Sequence, residues 1–340
     1  MKSKKIYVVL INYNSSSDTI ECLESLLKTT YDNLQVIVVD NSETKEPMSV
    51  LFDWASGRIT TVETFFENLV YPLVNKPLDV VFVSNEDLES NSFNQKIIFV
   101  KANENKGFAA ANNIAFKYII ANGDEDSYIW ILNNDTVIEK NVPEDIISKV
   151  IKDQDANHKV VYGTPLIEYS KPDRIQAIGG FYNKKTGLTY NLGENSLLAA
   201  RNFDFERSNL VDFPVGASII VHKQFLREIG LMCEDYFLYF EELDWALRAK
   251  EKGGWVKILN VFGVYHKQGG STKTKNNLKK TDFIDLVFLN SRILFAKKFN
   301  PENINKIYFS ILTLTIGKRI FEGNFKRIPK IIKMVFRKTI

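Results

Sequence analysis

Three short polar clusters could bind a nucleotide and a cation, and each follows a run of apolar, β-prone residues. The clusters are Asn12-Tyr13-Asn14, Asp40-Asn41-Ser42 and Asn133-Asn134-Asp135. The Asp40 carboxylate could accept an imide N–H from a pyrimidine base, and Tyr13 could stack on that base. Asp135 offers the hard oxygen that Mg²⁺ and Mn²⁺ prefer, and phosphate often supplies their other ligands. Any single cluster could also be a turn, because Asn and Asp favour turns.

A fourth cluster places three acids, Glu241, Glu242 and Asp244, at the start of a predicted helix. Acids are favoured there by the helix dipole, which alone could account for them. Asp244 has Arg248 one turn later, and we expect a structural ion pair between the two. Glu241 or Glu242 is the better candidate for a general base, which must be ionised and within reach of an attacking hydroxyl.

One histidine of the three, His266, is a candidate metal ligand. It follows the apolar run at 261–265 and precedes a loop that contains two glycines. A neutral imidazole in this position could bind a metal, although a single loop histidine is more often simply solvated. His158 lies in a polar loop and His222 at the start of a predicted helix, and neither receives a role.

The elements that would position these residues are those of an α/β protein. We predict buried strands at 6–11, 34–39, 96–100 and 128–132, with helices at 18–28 and 107–121. A strand–helix–strand order predicts a parallel sheet, and ligands bind beyond the carboxyl ends of its strands. We therefore expect the polar clusters to face one crevice. The less regular region 43–95 is interpreted in part as an insertion, with a strand at 80–83.

The second half of the chain predicts shorter strands and a helical end. Its strands are predicted at 159–164, 175–182, 186–190, 209–221, 255–259 and 261–265. A helix at 241–252 is expected to end at Gly253 and Gly254. From about residue 281 the pattern is helical.

Composition and motifs exclude several classes of protein. The chain has 340 residues, 45% of them hydrophobic and 25% charged, which excludes global disorder. Cys22 and Cys233 are too few and too distant for a disulfide framework or a zinc cluster. No G-x-G-x-x-G follows the first strand, which counts against a dinucleotide-binding dehydrogenase. No P-loop motif is present, which counts against a P-loop enzyme. No apolar run reaches the ~20 residues of a membrane span, so we expect a cytoplasmic protein.

The net charge of +3 conceals an asymmetry between the two ends of the chain. Residues 291–340 contain twelve basic and two acidic residues, a charge of +10, whereas residues 1–290 carry −7. Five apolar residues recur among these basic residues at helical spacing: Phe321, Phe325, Ile328, Ile332 and Val335. An amphipathic helix at 318–339 could lie on an anionic membrane surface. Alternatively, it could pack on the body or in a homo-oligomer contact. Its aromatic residues are too sparse to bind nucleic acid by stacking.

Together these segments resemble family 2 inverting glycosyltransferases, in the bacterial branch that includes rhamnosyltransferase-like enzymes. The matching segments, in order over residues 5 to about 295, are 8–14, 38–42, 105–113, 132–136, 215–217, 240–248 and 264–266. The resemblance implies a GT-A fold, α/β with a Rossmann-like and mostly parallel central sheet flanked by helices. The GT-A domain would span residues 1–280, with a nucleotide-sugar half at about 1–136 and an acceptor half at about 137–280. A helical, basic amphipathic region would follow at 281–340.

The resemblance also implies roles for individual residues. The nucleotide-sugar ligands would be Asn12, Tyr13, Asp40, Asn105, Lys106, Gly107, Asn113 and Asn134. Asp135 would stand in the D-x-D metal motif, with His266 as a further ligand of Mn²⁺ or Mg²⁺. Glu242 falls at the catalytic base. Two departures weaken the match: Asn133 replaces the first acid of the metal motif, and the base is Glu where Asp is usual. If Glu242 points away from the site, Asp244 or Glu241 would be the base.

The implied activity is transfer of a hexosyl or deoxyhexosyl group from a nucleotide-diphosphate sugar to a hydroxyl of a glycan or lipid-linked acceptor. A bacterial cell-surface polysaccharide would be the product, made in the cytoplasm or at the inner face of the membrane. The two departures also favour an alternative, a catalytically silent GT-A module that serves as a binding or scaffold subunit of a polysaccharide assembly complex. No nucleic-acid partner is expected.

Overall fold

The computed structural model describes residues 3–153, 158–199, 211–267, 278–323 and 325–336, and for 278–282 only the backbone. The strands are β1 (Lys5–Asn12), β2 (Leu34–Asp40), β3 (Val80–Ser84), β4 (Ile97–Lys101), β5 (Ser127–Leu132), β6 (Thr136–Ile138), β7 (Val160–Gly163), β8 (Leu166–Glu168), β9 (Ile175–Ala177), β10 (Gly179–Tyr182), β11 (Thr189–Leu192), β12 (Ser218–His222), β13 (Trp255–Ile258) and β14 (Val264–His266). The predicted strand at 209–221 is thus described only from residue 211 and begins later, at Ser218.

The helices alternate with the strands in the first half of the chain and dominate its end. They are α1 (Ser16–Leu26), α2 (Glu46–Ala55), α3 (Glu67–Val70), α4 (Asn85–Ser90), α5 (Phe108–Asn122), α6 (Val142–Lys152), α7 (Lys223–Ile229), α8 (Glu241–Glu251), α9 (Leu278–Phe299), α10 (Ile304–Ser310), α11 (Ile316–Phe321) and α12 (Ile328–Phe336). A π-helical stretch, Ile311–Thr315, joins α10 to α11. Gly253, with φ of 75°, follows α8 as predicted.

Eight strands form the central sheet in the order β13-β7-β12-β5-β1-β2-β4-β3. Every neighbouring pair is parallel except the two that involve β12. A mostly parallel sheet was the expectation, and it is confirmed. Two smaller sheets, β6-β14-β8-β9 and the hairpin β10-β11, are formed by strands between residues 136 and 266.

The strands are continuously apolar because both faces of the sheet are covered. On β1, Val8 and Leu10 pack in a core with Trp54 of α2, whereas Val9 packs on the other face with Phe116 of α5. Alternation of side chains along a strand separates the two cores. The carboxyl ends of β1, β2, β4 and β5 remain at one edge, where the predicted polar clusters lie.

The region 43–95 is only partly an insertion. Its strand β3 pairs in parallel with β4 and forms an edge of the central sheet. The segment before β3 is fastened to α1 by Glu24, which is fully buried. The Glu24 carboxylate accepts hydrogen bonds from Trp54 Nε1 at 2.8 Å, from Val74 N at 2.8 Å and from Lys76 Nζ at 2.6 Å. The strand predicted at 80–83 is therefore confirmed as β3, and the segment before it packs on α1.

The C-terminal helices form a layer of their own. The apolar residues at its centre are Leu289, Ile293, Ala296, Ile307, Ile311, Ile331 and Val335. The amphipathic region predicted at 318–339 forms two helices: α11 ends before Gly323, and α12 starts at Ile328, next to Pro329, a residue type expected to start or kink a helix. Within the described ranges, no helix has the length and apolar character to cross a bilayer.

Candidate active site

The carboxyl ends of β1, β2 and β4 bring Asn12, Asp40 and Lys101 side by side, in parallel register. Asn12 Nδ2 donates to Asp40 Oδ1 at 2.9 Å, and both side chains are fully buried. Lys101 Nζ lies 2.9 Å from Asp40 Oδ2, and Ser42 Oγ donates to Oδ1 at 2.5 Å. Three neighbours thus hold the Asp40 carboxylate, and its contact with a base stays a prediction.

Asn134 joins this cluster through Thr19 of α1. Thr19 Oγ1 donates to Asn12 Oδ1 at 2.8 Å and accepts a hydrogen bond from Asn134 Nδ2 at 2.9 Å. The three polar clusters that follow β1, β2 and β5 are therefore one connected group. Tyr13, directly after β1, is half-buried at its edge.

The loop at 105–107 lies against the end of β2. Asn105 Oδ1 accepts hydrogen bonds from Asn41 Nδ2 at 2.8 Å and from Gly107 N at 3.0 Å. Gly107 has φ of 96°, and a Cβ on it would lie 2.1 Å from the carbonyl oxygen of Phe237. Only glycine fits this position, because the backbone is left-handed and a neighbouring chain is too close. The predicted nucleotide loop is thus in contact with the segment that precedes α8.

Two further residues predicted to bind the nucleotide have different surroundings. The side chain of Lys106 is exposed, with its Nζ 2.5 Å from Glu104 Oε1, and its contact with a nucleotide stays a prediction. The Asn113 side chain is buried, and it donates to Glu234 Oε1 at 2.8 Å and accepts from Met232 N at 2.9 Å. Asn113 therefore fixes the chain at 232–234, and a contact with a nucleotide would require those bonds to break.

Asp135 and His266 lie next to each other at the smaller sheet β6-β14-β8-β9, which we call the second sheet. Asp135 directly precedes β6, and His266 is the last residue of β14. His266 Nε2 lies 3.1 Å from Asp135 Oδ1 and 3.2 Å from Asn133 Nδ2. His266 Nδ1 lies 2.6 Å from Oε1 of Gln176, whose Nε2 donates to the His266 carbonyl at 3.0 Å. The bond from Gln176 Nε2 to the His266 carbonyl fixes the orientation of the Gln176 amide, so its oxygen faces Nδ1. An oxygen can only accept, and we therefore assign the imidazole proton to Nδ1. The Nε2 lone pair then faces the Asp135 carboxylate.

This arrangement fits a divalent cation. An imidazole lone pair and a carboxylate oxygen 3.1 Å apart repel each other unless a proton or a cation lies between them. Both groups are ligands of Mn²⁺, and a second-shell amide such as Gln176 commonly orients a ligating histidine. In the described part of the chain, no three His, Cys, Asp or Glu side chains converge on one point. A cation held by Asp135 and His266 would take its other ligands from phosphate and water.

Helix α8 begins after two consecutive residues with left-handed backbone. Tyr239 has φ of 70° and Phe240 has φ of 73°, which bulky residues rarely adopt. The Phe240 ring packs on Phe288 and Phe295 of α9, with centroid distances of 5.6 and 5.5 Å. Such backbone strain persists only where packing enforces it, and it is common at active sites. It sets the direction of the first turn of α8, which carries Glu241.

The carboxyls of Glu241 and Glu242 have an unusual affinity for protons. Burial raises the pKa of Glu242 to about 7. Burial also raises the pKa of Glu241 well above its ordinary value, and the charge of Glu242 raises it further. Glu241 Oε2 is buried with no hydrogen-bond partner among the described residues. A carboxylate that titrates near neutral pH is suited to general base catalysis.

Asp244, the third acid of α8, is held differently. It is fully buried, and it forms ion pairs with Arg248 Nε and Lys298 Nζ, each at 2.6 Å. Tyr236 OH donates to it at 3.2 Å. The ion pair predicted between Asp244 and Arg248 is present. Because Lys298 belongs to α9, the same carboxylate also fastens the first tail helix to the body.

A loop at 215–217 connects the acid pair to the possible cation ligands. A Cβ built on Gly216 would lie 3.9 Å from the carboxyl carbon of Glu242. The next residue, Ala217, accepts a hydrogen bond from Asn133 N at 3.0 Å. A single loop therefore lies between Glu242 and Asn133, and Asn133 in turn contacts His266. That Glu242, Asp135 and His266 act in one site stays a prediction.

Three residues of this site were missed by the sequence analysis, namely Thr19, Lys101 and Gln176. Lys101 carried a usable signal, because it ends a buried strand in the same way as Asp40. Thr19 lies within a helix and Gln176 on a three-residue strand, where no local pattern indicates a role.

Comparison with known proteins identifies the chain. The family model "Glycosyl transferase family 2" matches residues 7–64 and 83–230, more than half of the chain. "Low-salt glycan biosynthesis hexosyltransferase Agl10" of Haloferax volcanii is 21% identical over 92% of this chain and 88% of its own length. "Glycosyltransferase GlyG" of Streptococcus pneumoniae is 27% identical over 59% of this chain and 50% of its own length.

Among solved structures, GalNAc-T7 in complex with UDP, GalNAc and Mn²⁺ superposes with a TM-score of 0.56 at 12% identity. The match covers 87% of this chain and 48% of that one, and it shows the shared fold. The fold is GT-A, as the sequence predicts. The chain belongs to glycosyl transferase family 2, whereas its place in the rhamnosyltransferase-like branch stays a prediction.

Proposed function

We propose that this glycosyltransferase moves a hexosyl group from a nucleotide-diphosphate sugar to a hydroxyl of a glycan or lipid-linked acceptor, with inversion of the anomeric configuration. The connection of Glu242 to Asn133 and His266 through one loop carries this proposal. It supports a common site for a proton acceptor and for the group that would bind the diphosphate. The hexosyltransferase from Haloferax volcanii supports the choice of sugar class and of glycan synthesis.

In the proposed reaction the Glu242 carboxylate takes the proton of the acceptor hydroxyl while that oxygen attacks the anomeric carbon. A new C–O bond forms as the bond from that carbon to the diphosphate breaks, and the diphosphate leaves with the electron pair. A single displacement inverts the anomeric centre. The pKa near 7 keeps Glu242 ionised in a useful fraction of molecules while leaving it a strong enough base.

Asp135 and His266 would hold the Mn²⁺ or Mg²⁺ that family membership implies. When bound, the cation would act as a Lewis acid that stabilises the charge on the leaving diphosphate. Two features would favour binding of this cation: Gln176 orients the His266 imidazole, and Asp135 is buried beside it. Lys106 is an exposed cation within the loop at 105–107, and we propose that it contacts phosphate.

A panel of UDP-, GDP- and dTDP-hexoses with Mn²⁺, Mg²⁺ or chelator would test this proposal. The expected result is donor hydrolysis, or transfer to a synthetic lipid-linked sugar, that depends on the cation. NMR of the product should show the anomer opposite to that of the donor. Retention of configuration would overturn the inverting mechanism. The scaffold alternative would be favoured instead if the donor binds without any turnover and if the affinity for the nucleotide is the same with and without a divalent cation. We place the activity in cell-surface polysaccharide synthesis, which the acceptor that reacts would verify.

A further inference from the structure

The C-terminal helical layer exposes an unusual amount of apolar surface. Fourteen large hydrophobic side chains are exposed in the described part of the chain, and seven of them lie between residues 309 and 336. These seven are Phe309 (68% exposed), Leu314, Ile320, Phe321 (94%), Phe325 (61%), Ile332 and Phe336 (69%). Exposed apolar groups concentrated in this way are typical of an interaction surface. We call these seven residues the tail surface.

The inner side of the same helices is already used. On α12, Ile331 and Val335 are one turn apart and buried in the layer, while Ile332 and Phe336 are one turn apart and exposed. Phe309 and Leu314 likewise lie along the α10 helix and its π-helical continuation, outside the buried Ile307 and Ile311. Membrane contact and packing on the body or in an oligomer were the alternatives for this segment. The inner face of these helices packs within the layer, and the outer face is exposed.

Basic side chains flank the tail surface. Lys326, Lys330 and Lys333 are exposed at helical spacing, and no ion pair to them is present among the described residues. The two arginines Arg319 and Arg327 point inwards instead, and both form ion pairs with Asp285 of α9. Arginine thus anchors the helices to one another, and the lysines remain at the surface. From residue 304 to 336 the chain has seven basic residues and one acidic residue.

We propose that the tail surface docks on an anionic lipid bilayer, with the aromatic rings in the interface and the lysines against the headgroups. The charge selects this partner, because a second copy of the same surface would bring like charges together. Aromatic and aliphatic residues beside lysines are the composition of interfacial helices, and each lysine near an anionic surface favours binding by roughly fivefold. The helices would lie in the plane of the bilayer, since no described helix is long and apolar enough to cross it.

Cosedimentation of the full chain with vesicles would test the proposal. Phosphatidylcholine vesicles with phosphatidylglycerol should bind the protein, vesicles of phosphatidylcholine alone should bind it weakly, and raised salt should weaken binding. Lys326→Glu combined with Lys330→Glu should reduce binding by more than tenfold. Phe321→Ser combined with Phe325→Ser should reduce the binding that survives at high salt.

Matched control variants outside the tail surface are Lys184→Glu combined with Lys185→Glu, both exposed, and Trp255→Ser, which removes a side chain that is 60% exposed. These should bind vesicles as the unmodified chain does. Thermal unfolding of every variant would verify the fold. Equal binding to neutral and anionic vesicles, or none to either, would overturn the proposal. So would concentration-dependent self-association in sedimentation velocity that Phe321→Ser abolishes, because a second copy would then be the occupant.

Discussion

Two groups of carboxylates, Asp40 after β2 and the Glu241–Glu242 pair at the start of α8, have opposite surroundings. Asp40 is surrounded by donors, from Asn12, Ser42 and Lys101. Glu241 and Glu242 lie beside one another at the start of α8, and burial raises the pKa of both. The first arrangement surrounds a carboxylate with hydrogen-bond donors and an ammonium group, whereas the second makes a negative charge costly. A carboxylate that is to accept a proton needs the second environment, which is why we propose Glu242 as the reacting acid and Asp40 as a positioning one.

The largest effect that would test this contrast is loss of transfer on removing the base. Glu242→Gln keeps the shape of the side chain but cannot accept the proton, and we expect the transfer rate to fall by about 10²–10⁴-fold. Affinity for the nucleoside diphosphate, measured by titration calorimetry, should change little. Glu251→Gln, an exposed position at the other end of α8, is the matched control. Full activity in Glu242→Gln would show that the base lies elsewhere.

The pH dependence of transfer should follow the same carboxylate. Because the pKa of Glu242 is about 7, the active ionised form increases as pH rises through 7. We expect kcat/KM to increase about tenfold per pH unit below this value and to level off above it. A profile that is flat between pH 5 and 8 in the unmodified enzyme would contradict the assignment.

A smaller effect concerns the support of His266. Gln176→Ala removes the acceptor that fixes the imidazole proton on Nδ1, and loss of such a second-shell partner typically weakens metal affinity by about 10–100-fold. Titration of Mn²⁺ in the presence of UDP would measure it. Gln224→Ala, an exposed glutamine on α7, should leave the affinity unchanged. Equal affinities in the two variants would remove the reason to place a cation beside His266.

Sequence reasoning succeeded where local pattern and topology coincide. The continuously apolar runs around Val8 and Ile37 predict strands buried on both faces, and residues at the ends of such strands necessarily share one edge of a parallel sheet. That is why the polar clusters after β1, β2 and β5 could be assigned to a common crevice. It also explains the correct position of the first turn of α8, where acids and the following apolar periodicity agree.

The failures concern contacts between segments distant in sequence. Gln176 approaches His266 only because β8 and β9 join the second sheet, and no spacing within the chain encodes that pairing. The division of the last helix has local causes, since Gly323 takes φ of 69° and Pro329 lies at the start of α12, although the apolar spacing across them is continuous. Likewise, the exposure of Ile332 and the burial of Val335 depend on packing against α9 and α11, not on helical period alone.

The smallest expected effect is on stability, and it distinguishes Glu241 from Asp40 directly. A carboxyl whose pKa is raised by folding binds a proton more tightly in the folded than in the unfolded protein. Between its ordinary pKa near 4.5 and the raised value, the folded state therefore holds more protons, and the free energy of unfolding decreases as pH rises. For one such group the slope is at most about 1.4 kcal/mol per pH unit. Glu241→Gln removes this group, so the variant should lose less stability than the unmodified protein between pH 5 and 8.

Urea midpoints of both proteins at the two pH values would measure that difference, and a constant cost of burying the new amide cancels from it. Asp40→Asn is the informative counterpart. It leaves the Lys101 ammonium without its carboxylate partner, and its loss of stability should be present at both pH 5 and pH 8. If the free energy of unfolding changes with pH equally in Glu241→Gln and in the unmodified protein, then folding does not raise the pKa of Glu241. The contrast between the two carboxylate environments would then fail at its thermodynamic basis.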